Sequence, residues 1–448
     1  MPLKSFNIFL NNKISAFNKT INVDSDKSIS IRSFLIGSIC QNISTVDNVL
    51  ESMDVKSTIE ACRKLGIKIQ RIKPKFYKIY GKGLGAFSTN KNTEINFGNS
   101  GTLARLLIGI LSSTPNINIR IKGDHSLNKR SMKKLINLMS EFGASFLPKN
   151  KFNFPLQMTS SNLPVGINYK AGVSAQLKSA VILAGLNSYG NTIITEQEKS
   201  RDHTEKMLAK NSKVIKIKDS EKKIIFIKGK KSLKPLKIFV PGDPSSAAFF
   251  TALTLLNKRS SIKIKNIGLN PTRIGFYKLL KKYNAKIKFI NKKKINNELH
   301  GDIVISSCNL RPIKASKDYY VNSTDEYPIL FIIAALTKGV STFKGIEDLA
   351  NKESNRIKEM QKILKQVGIK SFYSGNQIKI FGEGMIDASN KKIIVPNLGD
   401  HRICMATFVL AILTGAITKI NKFETVFTSS PSFLNIMRTL GAKFEIQK

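Results

Sequence analysis

The chain has 448 residues, of which 42% are hydrophobic and 23% charged, and its formal net charge is +43. That length and balance fit a globular protein with material for two large cores, and length alone allows two to four domains. No run of about 18 apolar residues predicts a transmembrane helix, residues 1–17 lack the apolar centre of a secretory signal, and four scattered cysteines without a CxxC pair argue against a zinc knuckle or a disulfide scaffold and fit a reducing cytoplasm.

In chain order, Asp24-Ser25-Asp26-Lys27-Ser28-Ile29-Ser30-Ile31-Arg32 is a polar loop that leads into a helix predicted over 31–39. Free N–H groups at a helix start attract anions, and Lys27, Ser28 and Arg32 stand at that end. A strand over 93–97 passes through Gly98-Asn99-Ser100-Gly101 into a helix over 102–111. That small-residue turn lets a ligand approach the backbone, although it matches neither the Walker nor the dinucleotide pattern. After a strand over 117–121, Gly123-Asp124 through Lys129-Arg130 forms a loop that suits an anion clamp or an ordinary surface cluster. Gly172-Val173-Ser174-Ala175-Gln176 opens a helix over 174–186 with neutral groups fit for hydroxyl recognition. A strand over 192–195 precedes Ser200-Arg201-Asp202-His203-Thr204-Glu205-Lys206, which begins another helix. Its lone His203 reads as a surface or capping residue rather than a metal ligand. A strand over 223–227 leads to Val240-Pro241-Gly242-Asp243, the best candidate for a domain crossing, and a helix over 246–256. Asn322-Ser323-Thr324-Asp325-Glu326-Tyr327-Pro328 opens a very apolar helix over 327–336, and Asp325 there reads as an N-cap or as a base. Lys352-Glu353-Ser354-Asn355-Arg356 and Gly399-Asp400-His401-Arg402 add two more junctions that carry cations.

A helix that closes on a glycine-like residue and runs into an alternating strand recurs at 66, 143, 212, 284, 368 and 441. Glycine enters the left-handed region freely and asparagine tolerates it, so both serve as helix stops. The near-regular spacing predicts six related α/β subunits.

Dense positive charge can neutralise nucleic-acid phosphates. Here lysine is spread over the whole chain, tryptophan is absent and no basic stretch is interleaved with aromatics. The charge therefore reads as a solvated lysine surface, without nucleic acid or membrane as partner. Arginine is scarce, 13 residues against 60 lysines. An arginine where lysine is the default points to planar, bidentate recognition. Arg32, Arg105, Arg130, Arg201, Arg356 and Arg402 all fall inside the motifs above.

Taken together and in this order, the motifs resemble the EPSP synthase family, in its group with Ser-Ala-Gln in the substrate helix. The matching strings are Asp26-Lys27-Ser28-Ile29-Ser30, Gly98-Asn99-Ser100-Gly101-Thr102, Gly123-Asp124 with Lys129-Arg130, and Ser174-Ala175-Gln176. Arg201 through Leu208, Asp325-Glu326-Tyr327-Pro328, Lys352-Glu353-Ser354 with Arg356, and Asp400-His401-Arg402 complete the set, over about residues 24–445. The resemblance implies an α/β (α+β) enolpyruvyl transferase fold of two domains, 1–25 plus 242–448 and 26–241. Each would hold three βαβαββ-like subunits around a pseudo-threefold, with the active site in the cleft.

It further implies transfer of the enolpyruvyl group of phosphoenolpyruvate to shikimate 3-phosphate by a cytoplasmic monomer, with no metal or organic cofactor. Lys27, Ser28, Arg32, Ser174, Ala175, Gln176, Asp325 and Lys352 would hold shikimate 3-phosphate, with Ser200 or Arg201 near its phosphate. Lys27, Gly101, Arg130, Gln176, Arg356 and Arg402 would hold phosphoenolpyruvate. Asp325 would take the proton of the attacking hydroxyl, and Glu353 or Lys27 would protonate the methylene. The chain departs from the family at Ser131, where proline is usual, and at Thr428, where some members carry a lysine. Gly101 stands where bulkier residues hinder glyphosate in relatives, which predicts glyphosate sensitivity. The rival within the fold, UDP-N-acetylglucosamine enolpyruvyl transferase, usually carries a reactive cysteine in a mobile loop, and the comparable stretch 114–130 has none.

Overall fold

The computed structural model describes residues 5–90 and 93–447. The ends of the expected domain ranges, residues 1–4 and 448, lie outside the described residues.

Among the described residues six four-stranded sheets form. In the sheet of Glu94–Asn96, Asn118–Lys122, Ser145–Leu147 and Leu156–Thr159, the first two strands pair in parallel around the helix Gly101–Ser112. The fourth strand inserts antiparallel between the second and the third. The same chain order, first-second-fourth-third, recurs in three of the other five sheets; in the remaining two, one strand comes from a distant part of the chain and takes the matching place. Parallel neighbours need a crossover and antiparallel neighbours a hairpin, so the order is the direct product of a β-α-β-α-β-β chain path.

Three sheets are assembled from distant segments. Lys237–Phe239 pairs with Gln41–Asp47, and Asn18–Ile21 pairs with Ser261–Gly268. Asn7–Leu10 lies between Ile417–Ile420 and Glu445–Gln447, so the two ends of the chain share a sheet.

The expected recurrence is real at five of its six turns. Gly66, Gly143, Asn284, Gly368 and Gly441 all have left-handed backbone, with φ from 72° to 97°. The stop at Asn211–Ser212 is not of this kind. Asn211 is buried, and its Oδ1 instead accepts the N–H of Lys234 at 2.9 Å.

The chain forms two compact units, each with its own hydrophobic core. The first comprises Met1–Asp24, Pro241–Lys293 and Leu299–Lys448, and the second comprises Ser25–Val240 and Lys294–Glu298. The short piece Lys294–Glu298 is the tip of a hairpin whose arms are Lys286–Ile295 and Glu298–Ser306. Its place in the second unit was not visible in the sequence: His203 Nδ1 lies 2.6 Å from Glu298 Oε1, and Asn296 Oδ1 accepts the N–H of Phe239 at 3.3 Å.

Each unit centres on three helices that are buried nearly all round. In the second these are Lys27–Ile39, Gly101–Ser112 and Ala175–Leu186, and in the first Pro244–Leu256, Tyr327–Ala335 and His401–Thr414. A helix apolar on every face must be central, which is why these stretches read as almost unbroken hydrophobic runs. Phe331 and Phe343, both fully buried, meet edge to face with centroids 5.3 Å apart. Truncating such a ring to alanine costs about 3–5 kcal/mol. No helix among the described residues is long and apolar enough to cross a membrane.

Candidate active site

The central helices begin at small polar caps, and this places the functional side chains. Asp26, Ser100 and Ser174 each accept the N–H three residues on, at Ile29, Leu103 and Leu177. Lys27 and Ser28, Gly101, and Ala175 and Gln176 therefore occupy first turns, where backbone N–H groups remain available.

In the second unit these turns are joined by side chains. Arg32 is almost fully buried; its Nε donates to Thr204 Oγ1 at 2.9 Å, its Nη2 to Ser179 Oγ at 3.1 Å and its Nη1 to the Ser28 carbonyl at 3.1 Å. Ser179 Oγ in turn donates to the Ala175 carbonyl. Gln176 is fixed at both ends of its amide: Arg105 Nη1 donates to Oε1 at 2.8 Å, and Nε2 donates to Thr102 Oγ1 at 2.9 Å. Arg130 Nη2 donates to Asn99 Oδ1 at 2.8 Å, and Asn99 donates to Asp124, the cap of the following short helix. A Cβ on Gly101 would lie 2.7 Å from Arg105 Nη1 and 3.4 Å from Arg130 Nη1, so the glycine lets two guanidinium groups close over a helix start. Lys27 Nζ pairs with Asp54 at 3.0 Å.

Two residues of the stretch 200–206 are buried more deeply than a local reading implies. The Ser200 side chain is buried and turned inward, donating to Glu196 Oε1 at 2.7 Å, while its neighbour Arg201 is partly exposed. His203 is no surface residue: it is 2% exposed, with Nδ1 2.6 Å from Glu298 Oε1. Its imidazole is covered by the hairpin tip, a contact across 95 residues of sequence that no local pattern encodes.

In the first unit, Asp325 sits in the 3-10 turn Thr324–Glu326, and the cap position of the helix Tyr327–Ala335 is Glu326, which makes no capping bond. The reading of Asp325 as an N-cap therefore falls away. Its Oδ1 lies 3.8 Å from Arg356 Nη1. Arg356 begins its helix and is fully buried; Nε meets Asp400 Oδ2 at 2.9 Å and Nη2 meets Glu353 Oε2 at 2.5 Å. Burial opposes the guanidinium charge, but Asp400, Glu353 and Asp325 outweigh it and hold the pKa above the ordinary arginine value. Asp400 also caps the helix His401–Thr414 at the Arg402 backbone N–H, so one carboxylate holds the Arg356 guanidinium and fixes the helix start that carries Arg402. Arg402 is 5% exposed and stacks over Phe249, and its Nε and Nη1 have no hydrogen-bond partner among the described residues. Lys352 Nζ is held at 2.6 Å by Asp348, which also accepts from Tyr320 at 2.9 Å.

Two unit-wise constellations result. One gathers Ser28, Arg32, Gly101, Arg130 and Gln176, and the other gathers Asp325, Glu353, Arg356 and Arg402 through Asp400. Both are cation-bearing helix starts, suited to anions with two or three oxygens. A model of the family "EPSP synthase (3-phosphoshikimate 1-carboxyvinyltransferase)" matches residues 11–437.

The chain belongs to the EPSP synthase family.

A relative of that family, the 3-phosphoshikimate 1-carboxyvinyltransferase of Zymomonas mobilis, is 36% identical over 95% of this chain and 94% of its own length. The enzyme of the same name from Bacillus velezensis is 36% identical over 96% and 99%. The solved EPSP synthase of Acinetobacter baumannii superposes with a TM-score of 0.84 at 32% identity, covering 99% of this chain and all of its own. An enolpyruvyl transferase from Streptomyces tendae shares the fold at 13% identity, with a TM-score of 0.74.

The residues that sequence reasoning missed are the carboxylates behind the cations. Asp54 and Asp348 lie in helical stretches with no distinguishing signal, while Asp400 stood inside a quoted motif unassigned. A further pair lies before two central helices of the first unit. Arg273 Nη2 binds the cap Asp243 at 2.9 Å and donates to Ser245 Oγ at 3.0 Å, and Ser245 donates to the buried Glu326 beside Asp325. The scarcity of arginine was the available signal for Arg273.

Proposed function

We propose that this chain transfers the enolpyruvyl group of phosphoenolpyruvate to the 5-hydroxyl of shikimate 3-phosphate, releasing phosphate, on the shikimate route to chorismate and the aromatic amino acids. The observation that carries this is the Asp325–Arg356–Glu353–Asp400 cluster in a chain of the EPSP synthase family. It supplies a carboxylate base beside a cation that is itself fixed by two further carboxylates.

Lys27, Ser28, Arg32, Ser174, Ala175, Gln176, Arg201 and Lys352 hold shikimate 3-phosphate, and Lys27, Gly101, Arg130, Gln176, Arg356 and Arg402 hold phosphoenolpyruvate. The two units serve as the two functional domains, each contributing one constellation. Two polyanions repel one another, so guanidinium and ammonium groups are needed to bring them together and to hold them in a reactive geometry. Asp325 takes the proton of the 5-hydroxyl as that oxygen bonds to C2 of phosphoenolpyruvate. Glu353 or Lys27 gives a proton to the methylene carbon, which becomes a methyl group. The tetrahedral ketal then loses one methyl proton and its phosphate, which restores the carbon–carbon double bond. The enzyme acts as a cytoplasmic monomer, with these two metabolites as its partners.

Phosphate release from the purified protein tests the reading. Release that requires both substrates and collapses in Asp325→Ala is the expected result. Release with UDP-N-acetylglucosamine in place of shikimate 3-phosphate would overturn it.

A further inference from the structure

One polar cluster of the second unit takes no part in the reaction just described. Lys178, in the helix Ala175–Leu186, places Nζ 2.8 Å from Glu196 and 2.7 Å from Glu205. Lys223, the cross-strand neighbour of Glu196, places its Nζ 3.1 Å from Glu205 and 3.4 Å from Glu196. Three of these side chains are 0–1% exposed and Lys223 is 8% exposed. Two cations and two carboxylates balance, and burial that would raise the Glu196 pKa is outweighed by Lys178 and Lys223. Well-packed apolar residues of the same volume would give the core equal or greater stability. The quartet is therefore an expensive way to fill space, and its geometry suggests what it does instead.

Glu196 ends its strand, and its Oε1 accepts both the N–H of Ser200 at 3.1 Å and the Ser200 hydroxyl at 2.7 Å. One carboxylate oxygen thus closes the turn 196–200, immediately before Arg201. Glu205 adjoins Thr204, the acceptor of Arg32 Nε, and Lys178 adjoins Ser179, the acceptor of Arg32 Nη2. Three members of the quartet stand one residue, or one closed turn, from a group that aims Arg32 or Arg201.

We propose that Glu196 is a positioning residue for shikimate 3-phosphate: with Lys178, Glu205 and Lys223, it locks the turn that presents Arg201 and braces the helix whose Thr204 orients Arg32. This rests on the assignment of Arg32 and Arg201 to that substrate.

The decisive variant is Glu196→Leu combined with Lys223→Met. It removes one charge of each sign and leaves the Lys178–Glu205 pair, so the core stays neutral while Ser200 loses its acceptor. Thermal unfolding checks the fold, and calorimetry with shikimate 3-phosphate and with unphosphorylated shikimate reads the site. The expected result is a cooperative transition with a modestly lower Tm, a Kd for shikimate 3-phosphate raised about tenfold or more, a smaller change for shikimate, and a rise in KM for shikimate 3-phosphate that exceeds the fall in kcat. Should the double variant not fold, Glu196→Asp keeps the charge balance and shortens the reach to Ser200, with the same selective loss expected. Arg32→Lys and Arg201→Ala serve as controls. If they weaken binding while the Glu196 variants bind as the parent does, the positioning role is overturned. If all of them bind as the parent does, the assignment of the two arginines falls instead.

Discussion

Arg356 Nη1 stands 3.8 Å from Asp325 Oδ1, while Nε and Nη2 of the same guanidinium are engaged at 2.9 and 2.5 Å by Asp400 and Glu353. The arginine is pinned by two carboxylates and only approached by the third. In the proposed reaction Asp325 accepts the proton of the attacking hydroxyl. Asp325→Asn is expected to lower kcat by about 10²–10⁴-fold, the range of a positioned general base, with little change in Tm. Phosphate release and thermal unfolding measure both. A variant within threefold of parent activity would remove Asp325 from the role.

The two buried arginines of the first unit should separate on stability. Arg356→Met leaves Asp400 and Glu353 without their cation, and loss of one partner from a buried ion pair costs about 3–5 kcal/mol. Arg402→Met removes two donors without hydrogen-bond partners among the described residues and keeps the packing on Phe249, so urea unfolding should change by no more than about 1 kcal/mol. Both variants are expected to raise the KM for phosphoenolpyruvate.

Gly101→Ala places a methyl group 2.7 Å from Arg105 Nη1, which must move. Arg105 holds Gln176, so the expected outcome is a higher KM for phosphoenolpyruvate with Tm nearly unchanged. The parent protein should be inhibited by glyphosate in competition with phosphoenolpyruvate, and the alanine variant less so. Inhibition constants for the two proteins check this.

Acid should destabilise the protein through named carboxylates. Burial raises the Glu298 pKa, but His203 and Lys206 outweigh it and hold it below the ordinary value of 4.5, and Glu196 is likewise lowered. A depressed folded pKa contributes stability that is present above the unfolded value and lost as pH falls through the folded one. Tm should therefore decline below about pH 4.5, and the decline should be shallower in Glu298→Gln.

Thiol reagents should leave activity intact. Burial pushes the Cys40 and Cys62 thiols up to about 12 and raises those of Cys308 and Cys404 as well. A thiol held protonated is a poor nucleophile. Loss of activity with iodoacetamide at neutral pH would point instead to a reactive cysteine of the kind found in the rival family.

Much of the architecture was legible from the chain. Helix stops at Gly66, Gly143, Asn284, Gly368 and Gly441 depend on a local steric preference, and local preferences are written in the residues themselves. The central helices were legible for a related reason: a segment such as 327–335 has no polar face to offer water. The motifs that open them, with Asp26, Ser100 and Ser174 as caps, are also local, because a cap bonds to a backbone group three residues away.

What tertiary structure decided is which charges face one another. Nothing in the sequence marked Lys178 and Lys223 as buried among 60 lysines, yet both lie beside Glu196 and Glu205. His203 looked exposed until the hairpin tip covered it, and the Ser200 hydroxyl turns to Glu196. These outcomes depend on distances between segments far apart in sequence, and the energy of an ion pair is set by separation and burial, neither of which a residue carries in its own name. The sequence by itself determined the helices, their caps and the order of the motifs; only the folded chain decided which side chains were left to meet a substrate and which were occupied in holding the others in place.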